Sequence, residues 1–267
     1  ILPQHQNSYS GGTNSDFIQY KYKAGDPEGW KNLDGKFYHD YTDDASWGPR
    51  INGQEHIPWY AWYDGHSRSF KTQTLTPQPN NIRDFWETGV TQTKNINFST
   101  DNTNVRLSYT NLDIKGLIPN SYLKKNTLTT NLSIDVTPRL TASTNITYVN
   151  QKRNSEEDDA YSNNSSGSFN QWFHRENDMS IYKELRGLKT STGVYASWNH
   201  SNADSYDAGK PETFYKGNYW FNPYTYFDNV KNLDSRDRLF GDVSLAYKLT
   251  KDLTVKGTYR RQQVTAN

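Results

Sequence analysis

The sequence predicts an all-β protein built from antiparallel hairpins, and three observations lead to this fold class. Six segments alternate between apolar and polar residues with a period of two, as the two faces of a strand require. These segments are joined in pairs by turns of about three residues, which is typical of hairpins. The third observation is the composition, which is polar and rich in aromatic residues but lacks long apolar runs.

The clearest hairpin is formed by residues 127–149. Every second residue from Leu128 to Val136, and again from Leu140 to Tyr148, is mostly apolar, whereas the residues between are mostly Thr, Ser and Asn. Each arm has about ten residues, close to the ~9–11 that a tilted strand needs to cross a bilayer. An antiparallel sandwich with one solvated face alternates in the same way, so the period alone leaves membrane-spanning and soluble sheets equally open.

Two further hairpins repeat the pattern, and their connections are asymmetric. The additional strands are predicted at residues 92–100, 105–110, 239–249 and 253–260. Within each hairpin the turn is short (DNT, TPR and TKD), whereas the connections between hairpins are long. Short turns at one end and long loops at the other are the layout of outer-membrane barrels. The more specific prediction is therefore an antiparallel transmembrane β-barrel segment with long extracellular loops.

This layout divides the chain into four regions. Residues 1–89 are predicted to be an extracellular loop region, 90–149 two barrel hairpins, 150–237 a long extracellular excursion, and 238–267 a further barrel hairpin. Residues 192–200 alternate weakly, but a spanning strand there would reverse the direction of the following strand. We therefore assign that segment to the extracellular excursion.

Composition excludes several classes of function. The net charge of +1 provides no basic surface for nucleic acid. Cysteine is absent, which excludes disulfides and thiolate chemistry. The mean hydropathy of −1.02 is low, yet the chain has 20 Tyr and 8 Trp, residues that cluster at the two interfaces of transmembrane barrels. No apolar run approaches the ~18 residues of a spanning helix.

Several motifs in this chain carry a resemblance to a known family. The strand ending near residue 115 leads into GLIPNS, an alternating Asn/Leu strand follows, and the next strand ends with NITY at residues 145–148. Four more stretches fit the same family in order: LPQHQNSYSGG at 2–12, SWGPRING at 46–53, NIRDFWETG at 81–89 and DRLFGDVSLAYKLTKDLTVKG at 237–257. Together they resemble SusC/RagA-type TonB-dependent transporters of Bacteroidetes.

The resemblance implies properties that the residues do not show by themselves. Such proteins form a barrel of about twenty-two strands in the outer membrane of a Gram-negative bacterium. They import glycans or peptides together with a SusD-like surface lipoprotein, and TonB drives the import by acting on a plug region. Neither the plug nor the last strands are recognised in this sequence, so we expect an internal piece of a longer barrel. The resemblance assigns turn geometry to its motif residues Gly116, Pro119, Asn120 and Ser121.

Aromatic residues in the long loops are the candidate contacts for a substrate or a lid protein. They are Trp59, Tyr60, Trp62, Tyr63, Tyr219 and Trp220. Aromatic rings stack on sugars or become buried against a partner, but rings in such a cluster also pack beneath their own loop. Both interpretations of the cluster remain open at the level of sequence.

Catalytic and metal-binding residues are not predicted. Carboxylates occur together only in loop runs, at Asp43 and Asp44 and at residues 156–159, without the spatial arrangement that a glycosidase requires. Calcium in one of these loops is the single cofactor left open, although the spacing is not that of an EF-hand. The six histidines show no metal-ligand spacing, so we expect no metal site and no enzymatic activity.

Two alternative functions also fit the sequence. One is a secreted, soluble β-sandwich that binds or hydrolyses carbohydrate. The other is a structural or adhesive surface barrel without transport. A closed core within this chain would favour the first alternative, and the absence of a plug and TonB-contacting segment in the gene would favour the second.

Overall fold

A computed structural model describes residues 4–100, 104–155 and 172–267 of the protein. The predicted turn at 101–103 and the acidic run at 156–159 lie outside the described residues. The chain divides into two compact units. The aromatic unit consists of Ile1–Trp86 and Glu157–Val230, and the sheet unit consists of Glu87–Glu156 and Lys231–Asn267.

The sheet unit is one antiparallel sheet in which every strand pairs with the next strand in sequence. Its strands are β1 (Val90–Thr100), β2 (Val105–Lys115), β3 (Tyr122–Thr137), β4 (Leu140–Asn154), β5 (Leu233–Lys248) and β6 (Thr254–Ala266). All six predicted strands are present, and the all-β antiparallel fold class is confirmed. Among the described residues the sheet is open, because β1 and β6 do not pair with each other.

The strand register aligns the apolar positions into one continuous face. Leu128 on β3 lies opposite Tyr148 on β4, which in turn lies opposite Leu239 on β5. The same alignment continues outward to β2, where Tyr109 pairs with Leu128, and to β1, where Ile96 pairs with Tyr109. Since strand side chains alternate between faces, the sheet has one face that is mostly apolar. Its large side chains are exposed, as shown by Ile96 at 71% of its full accessible area.

The opposite face of the sheet is mostly polar, and several of its small hydroxyl side chains bond across the strands. The hydroxyls of Thr129 and Thr147 lie 3.3 Å apart, and those of Ser133 and Ser143 lie 3.1 Å apart. Cross-strand hydroxyl pairs of this kind stabilise a sheet modestly, by about 0.2–1 kcal/mol each. The two faces therefore differ sharply in polarity over the same strands.

The connection between β2 and β3 contains the GLIPNS motif and forms a tight turn. The Gly116 amide donates to the Ser121 carbonyl at 2.9 Å, and the Ser121 hydroxyl donates to the Ile118 carbonyl at 2.6 Å. Asn120 adopts a left-handed conformation with φ of 63°, which asparagine tolerates better than most residues. A side chain at position 116 would meet the Ser121 hydroxyl at 2.1 Å, so glycine leaves the space that this hydroxyl occupies. Pro119 is buried in the turn.

The aromatic unit contains short elements connected by many turns. Ile18–Gln19 pairs with Phe37–Tyr38, and Glu55–His56 pairs with Gln73–Thr74. Among the described residues, its α-helices are α1 (Asn81–Phe85), α2 (Met179–Glu184), α3 (Glu212–Tyr215) and α4 (Pro223–Asn229), and its 3₁₀ helices are Glu28–Leu33, Trp59–Trp62 and Ala203–Ser205.

Side-chain caps begin two of these helices. The Asp178 carboxylate accepts from the Ser180 amide at 2.8 Å before α2, and the Asn222 side chain accepts from the Tyr224 amide at 3.0 Å before α4. Such caps satisfy amides that have no partner within the helix. The α2 helix begins directly after its cap and ends before Gly187, which has a φ of 82°.

A core of aromatic rings holds the aromatic unit together. Trp30 is fully buried, and its Nε1 donates to the Trp62 carbonyl at 3.0 Å. The Trp30 ring also lies 4.8 Å from the Trp62 ring and 4.9 Å from the Phe214 ring, measured between centroids. Since Phe214 belongs to the second segment of the unit, this core joins the two segments. Among the described residues, no helix has both the length and the apolar character needed to cross a membrane.

Candidate functional site

Four of the six predicted contact residues are core residues of the aromatic unit. Trp59, Tyr60, Trp62 and Tyr63 lie in or next to the 3₁₀ helix Trp59–Trp62 and are at most 4% exposed. The Tyr63 hydroxyl donates to the Tyr215 carbonyl at 2.8 Å. In this conformation, their rings are not available to a substrate or a lid protein, which corresponds to the interpretation of packing beneath the loop.

The remaining two predicted residues line a surface cleft in the same unit. The cleft has a volume of ≈ 860 Å³. Its described lining consists of Asp40, Thr42, Asp43, Asp44, Trp172, Asn218, Tyr219, Trp220, Phe221 and Tyr226. Tyr219 is 65% exposed, whereas Trp220 is nearly buried and anchors this part of the wall. The volume lies within the ~300–1,000 Å³ typical of small-molecule sites.

One buried asparagine fixes the two walls of the cleft to each other. The Asn199 side-chain oxygen accepts from the Tyr219 amide at 2.7 Å, while its Nδ2 donates to the Tyr41 carbonyl at 2.7 Å. The Asn218 side chain adds a bond to the Thr42 carbonyl at 2.9 Å. The cleft is thus built from segments that are far apart in sequence, and its shape is set before any ligand binds.

The cleft combines exposed aromatic faces with carboxylates. Trp220 Nε1 donates to the Asp44 Oδ2 at 2.7 Å. Burial raises the pKa of the Asp44 carboxyl above its ordinary value, although this hydrogen bond opposes the rise. Asp40 accepts from the Thr42 amide at 2.9 Å and so supports the local turn. Aromatic faces beside fixed acceptors suit a ligand with hydroxyl groups, such as a sugar, better than an anion.

A second cluster in the aromatic unit was not predicted from sequence. His39, His174 and Glu176 are buried, and one candidate ligand atom from each lies within 4.8 Å of the others. Glu176 Oε1 is 2.5 Å from His39 Nε2 and 3.5 Å from His174 Nδ1. The only local signal is the His-x-Glu spacing of residues 174 and 176, since His39 lies in a distant part of the sequence.

The charges in this cluster influence one another strongly. Burial by itself would raise the pKa of Glu176, but the neighbouring His39 and His174 outweigh it and lower the pKa to about 2. Burial lowers the pKa of His174 to about 4, in spite of the opposing effect of Glu176. Glu176 is therefore a carboxylate and His174 a neutral imidazole at neutral pH.

A buried histidine next to the aromatic core makes the stability of this unit depend on pH. Burial lowers the pKa of His200 from 6.5 to about 4, although its bonds to the Ser201 and Trp59 carbonyls act in the opposite direction. The unfolded chain then binds a proton between pH 6.5 and 4 that the folded chain does not. We expect a loss of about 2 kcal/mol at pH 5 relative to pH 8 from this residue alone.

Tryptophan fluorescence during urea unfolding measures this effect. The H200Q variant is expected to show a smaller loss of stability between pH 8 and pH 5 than the wild-type protein. Between pH 8 and pH 7 the two proteins should respond nearly alike, because protonation of His200 in the unfolded chain lowers the stability by only about 0.1–0.2 kcal/mol over that range. An equal loss in both proteins down to pH 5 would contradict the assignment.

Comparison with known proteins provides no further assignment. No protein-family model matches the chain, and a search of curated proteins finds no match either. The candidate sites therefore rest on the sequence and on the geometry of the described residues.

Proposed function

We propose that this chain forms part of the wall and outer loops of a transmembrane β-barrel that imports glycans or peptides across the outer membrane of a Gram-negative bacterium. The observation that carries the proposal is the extensive, exposed apolar face of the six-stranded sheet. Val243 and Leu245 on β5 are 48% and 53% exposed, and exposed apolar side chains occur on all six strands, although Arg261 and Gln263 of β6 lie on the same face opposite Gly241 and Leu239. Apolar surface of this extent is rare on a water-exposed protein and is the normal surface of a barrel in lipid.

The apolar face has the height that a bilayer requires. On β3, β4 and β5 it occupies the register between Leu128 and Val136, Leu140 and Tyr148, and Leu239 and Tyr247. Roughly nine residues at ~3.3 Å each extend for about 27–30 Å along a strand. With a strand tilt of ~40°, this corresponds to a band about 21–23 Å tall, close to the ~25 Å of outer-membrane barrels.

One boundary of the apolar band is sharp. In the next aligned row, the same face carries Asn126, Asn150 and Asp237. The Tyr148 hydroxyl donates to the Asp237 carboxylate at 2.6 Å, and the Tyr109 hydroxyl donates to the Asn126 side chain at 2.8 Å. Tyrosines with an apolar body in the band and a hydroxyl among polar groups are typical of a membrane interface. The strands then continue beyond the band toward the ends that carry the long connections.

The chain connectivity supports an outward position for the aromatic unit. Both of its segments join the sheet at the strand ends opposite to the TPR and TKD turns. In outer-membrane barrels the long loops are extracellular and the short turns periplasmic. The proposal includes the partners that the SusC/RagA resemblance implies: a SusD-like lipoprotein as lid, and TonB acting through a plug region.

Spin labels on adjacent residues of β4 test the membrane assignment directly. The chain has no cysteine, so N145C and I146C each introduce a unique labelling site. In native outer-membrane vesicles the label at 146 should be relaxed mainly by oxygen, which concentrates in lipid, and the label at 145 by a water-soluble nickel complex. Preferential relaxation of both labels by the nickel complex would contradict the proposal.

The cleft is the proposed binding site for the imported ligand. We expect Y219A and F221A to weaken ligand binding about tenfold each, because every exposed ring supplies a stacking face worth roughly 1–1.5 kcal/mol. Calorimetry with a panel of oligosaccharides and peptides, followed by uptake assays, measures this effect. F37A is the matched control, since Phe37 is 45% exposed in the same unit but does not line the cleft. Unchanged affinity in both cleft variants would remove the cleft from the transport path.

A further inference from the structure

We propose that His39, His174 and Glu176 form a structural zinc site that fastens the two segments of the aromatic unit together. Two imidazoles and one carboxylate are a donor set that Zn²⁺ commonly takes from proteins. His39 belongs to the first segment, whereas His174 and Glu176 belong to the second. This inference is independent of the proposed transport function, because it rests only on the interior of the aromatic unit.

Backbone carbonyls fix which nitrogen of each histidine is free to bind a metal. His39 Nδ1 lies 3.3 Å from the Asp40 carbonyl, and His174 Nε2 lies 2.8 Å from the Asp43 carbonyl. A carbonyl can only accept, so these two nitrogens would carry the protons when the other nitrogen of each ring binds a metal. The lone pairs are then on His39 Nε2 and His174 Nδ1, the same two atoms that face Glu176. Support of metal-binding histidines by carbonyl groups is a regular feature of zinc sites.

The carboxylate is oriented in the same manner. Glu176 Oε2 accepts from the Gly11 amide at 3.0 Å, which leaves Oε1 directed at the two histidines. A side chain at position 11 would meet the His174 ring at 2.0 Å, so glycine allows the backbone to approach this closely. Each of the three ligand residues therefore has a second contact that holds it in place without using the metal-binding atom.

The distances between the donor atoms are compatible with zinc after small shifts. A tetrahedral ion bound at ~2.0–2.2 Å from each ligand separates neighbouring ligand atoms by about 3.3–3.5 Å. The contact between Glu176 Oε1 and His174 Nδ1 is already 3.5 Å, and that between Oε1 and His39 Nε2 is 2.5 Å. Binding requires the second pair to separate by somewhat less than 1 Å. Without metal, so short a contact requires the N–H of His39 to be on Nε2, because a carboxylate can only accept.

A small cavity beside the cluster provides space for a fourth ligand. The cavity has a volume of ≈ 10 Å³ and is lined by His39, His56 and Glu176, among others. This is about the space that one water molecule needs. His56 Nδ1 bonds to the Gln73 carbonyl at 3.1 Å, and its Nε2 is buried without a hydrogen-bond partner among the described residues. A zinc-bound water would supply that missing partner.

The position of the site suggests what the metal does. Asp40 and Asp43, whose carbonyls accept from the two histidines, also line the cleft. Zinc would bond to His39 in the first segment, next to this wall of the cleft, and to His174 and Glu176 in the second segment. We therefore expect metal loading to stabilise the aromatic unit and to fix the geometry of the cleft.

Metal analysis of the purified full chain tests the site without any substitution. We expect about one zinc per chain by mass spectrometry, an absorption spectrum of four-coordinate Co²⁺ after exchange, and a higher unfolding temperature when Zn²⁺ is returned to chelated protein. If the wild-type chain has no bound zinc, no such Co²⁺ spectrum and an unfolding temperature that is insensitive to Zn²⁺, the proposal is overturned in favour of a plain ion pair.

Variants then identify the ligands. H39A and E176Q should each weaken Zn²⁺ affinity by more than about 100-fold, beyond the 10–100-fold typical of residues that only support a ligand. H66A is the matched control, since His66 bonds to the Tyr60 carbonyl and does not belong to the cluster. Metal affinity that is unchanged in E176Q, in a chain that retains the wild-type fluorescence spectrum, would show that the zinc binds elsewhere.

Discussion

Replacement of Trp30 by alanine is expected to unfold the aromatic unit while leaving the sheet unit paired. The indole of Trp30 is fully buried between Trp62 and Phe214, so its removal leaves a large cavity. Deletion of a buried Trp side chain costs about 3–5 kcal/mol. The lost Nε1 bond also leaves the Trp62 carbonyl without this donor, at about 1–3 kcal/mol. The sum is comparable with the entire stability of many domains, about 5–15 kcal/mol.

Intrinsic fluorescence isolates this effect, because all 8 tryptophans belong to the aromatic unit. W47A is the matched control: it also removes one indole, but Trp47 is 62% exposed. We expect W47A to change the unfolding free energy by less than about 0.5 kcal/mol. Equal urea midpoints for the two variants would show that the aromatic core does not determine the stability of this unit.

Placement of an arginine at Val243 is the second substitution with a large expected effect. Val243 lies opposite Thr144 and Tyr259, at mid-height of the apolar band. If this face contacts lipid tails, an arginine there costs about 2–4 kcal/mol. We expect V243R to lower the amount of folded, protease-resistant protein in the outer-membrane fraction. N145K is the control, because Asn145 lies on the polar face opposite Asp242, where a cation is well accommodated.

This substitution also separates the membrane proposal from a soluble sheet. On a water-exposed face, an arginine in place of an exposed valine would be neutral for stability and would improve solubility. Normal folding of V243R combined with higher solubility would therefore contradict the barrel. A defect in both V243R and N145K would instead indicate that a new cation at this height disturbs the sheet on either face.

The strands could be predicted from sequence because their pattern is local. In β4, the alternation of apolar and polar residues from Leu140 to Tyr148 indicates which face of the sheet each side chain occupies. The TPR turn fixes the register with β3. The extension of β3 to Tyr122 could not be predicted, since the pairing of Lys124 with Lys152 involves polar residues on strands that no longer alternate. There, the backbone ladder continues without a hydrophobic pattern.

The aromatic unit was predicted poorly because its contacts are long-range. Whether Trp62 is buried or exposed depends on Tyr20 and Trp30, which approach it only after folding. The structure places Trp59, Tyr60, Trp62 and Tyr63 in the core and leaves Tyr219 at the surface, although all of them occur in Tyr- and Trp-rich sequence. Composition therefore indicated aromatic contacts, but it did not indicate which rings would remain accessible.

The cluster of His39, His174 and Glu176 shows the same limit for polar residues. A search for metal sites in sequence depends on ligands spaced within one helix or hairpin. Here the first ligand comes from the segment after Phe37–Tyr38, and the other two precede α2. Only tertiary structure brings them together.

The connection between β4 and β5 has a consequence for the order of folding. The β3–β4 and β5–β6 hairpins close over short turns, whereas pairing of Asn154 with Leu233 must close over residues 155–232. In a flexible chain, the longer closure costs about 2–3 kcal/mol more in entropy than a short turn. The two hairpins would then form early and the β4–β5 seam late. Prior collapse of the inserted residues would bring the ends of these strands close together and accelerate that last step.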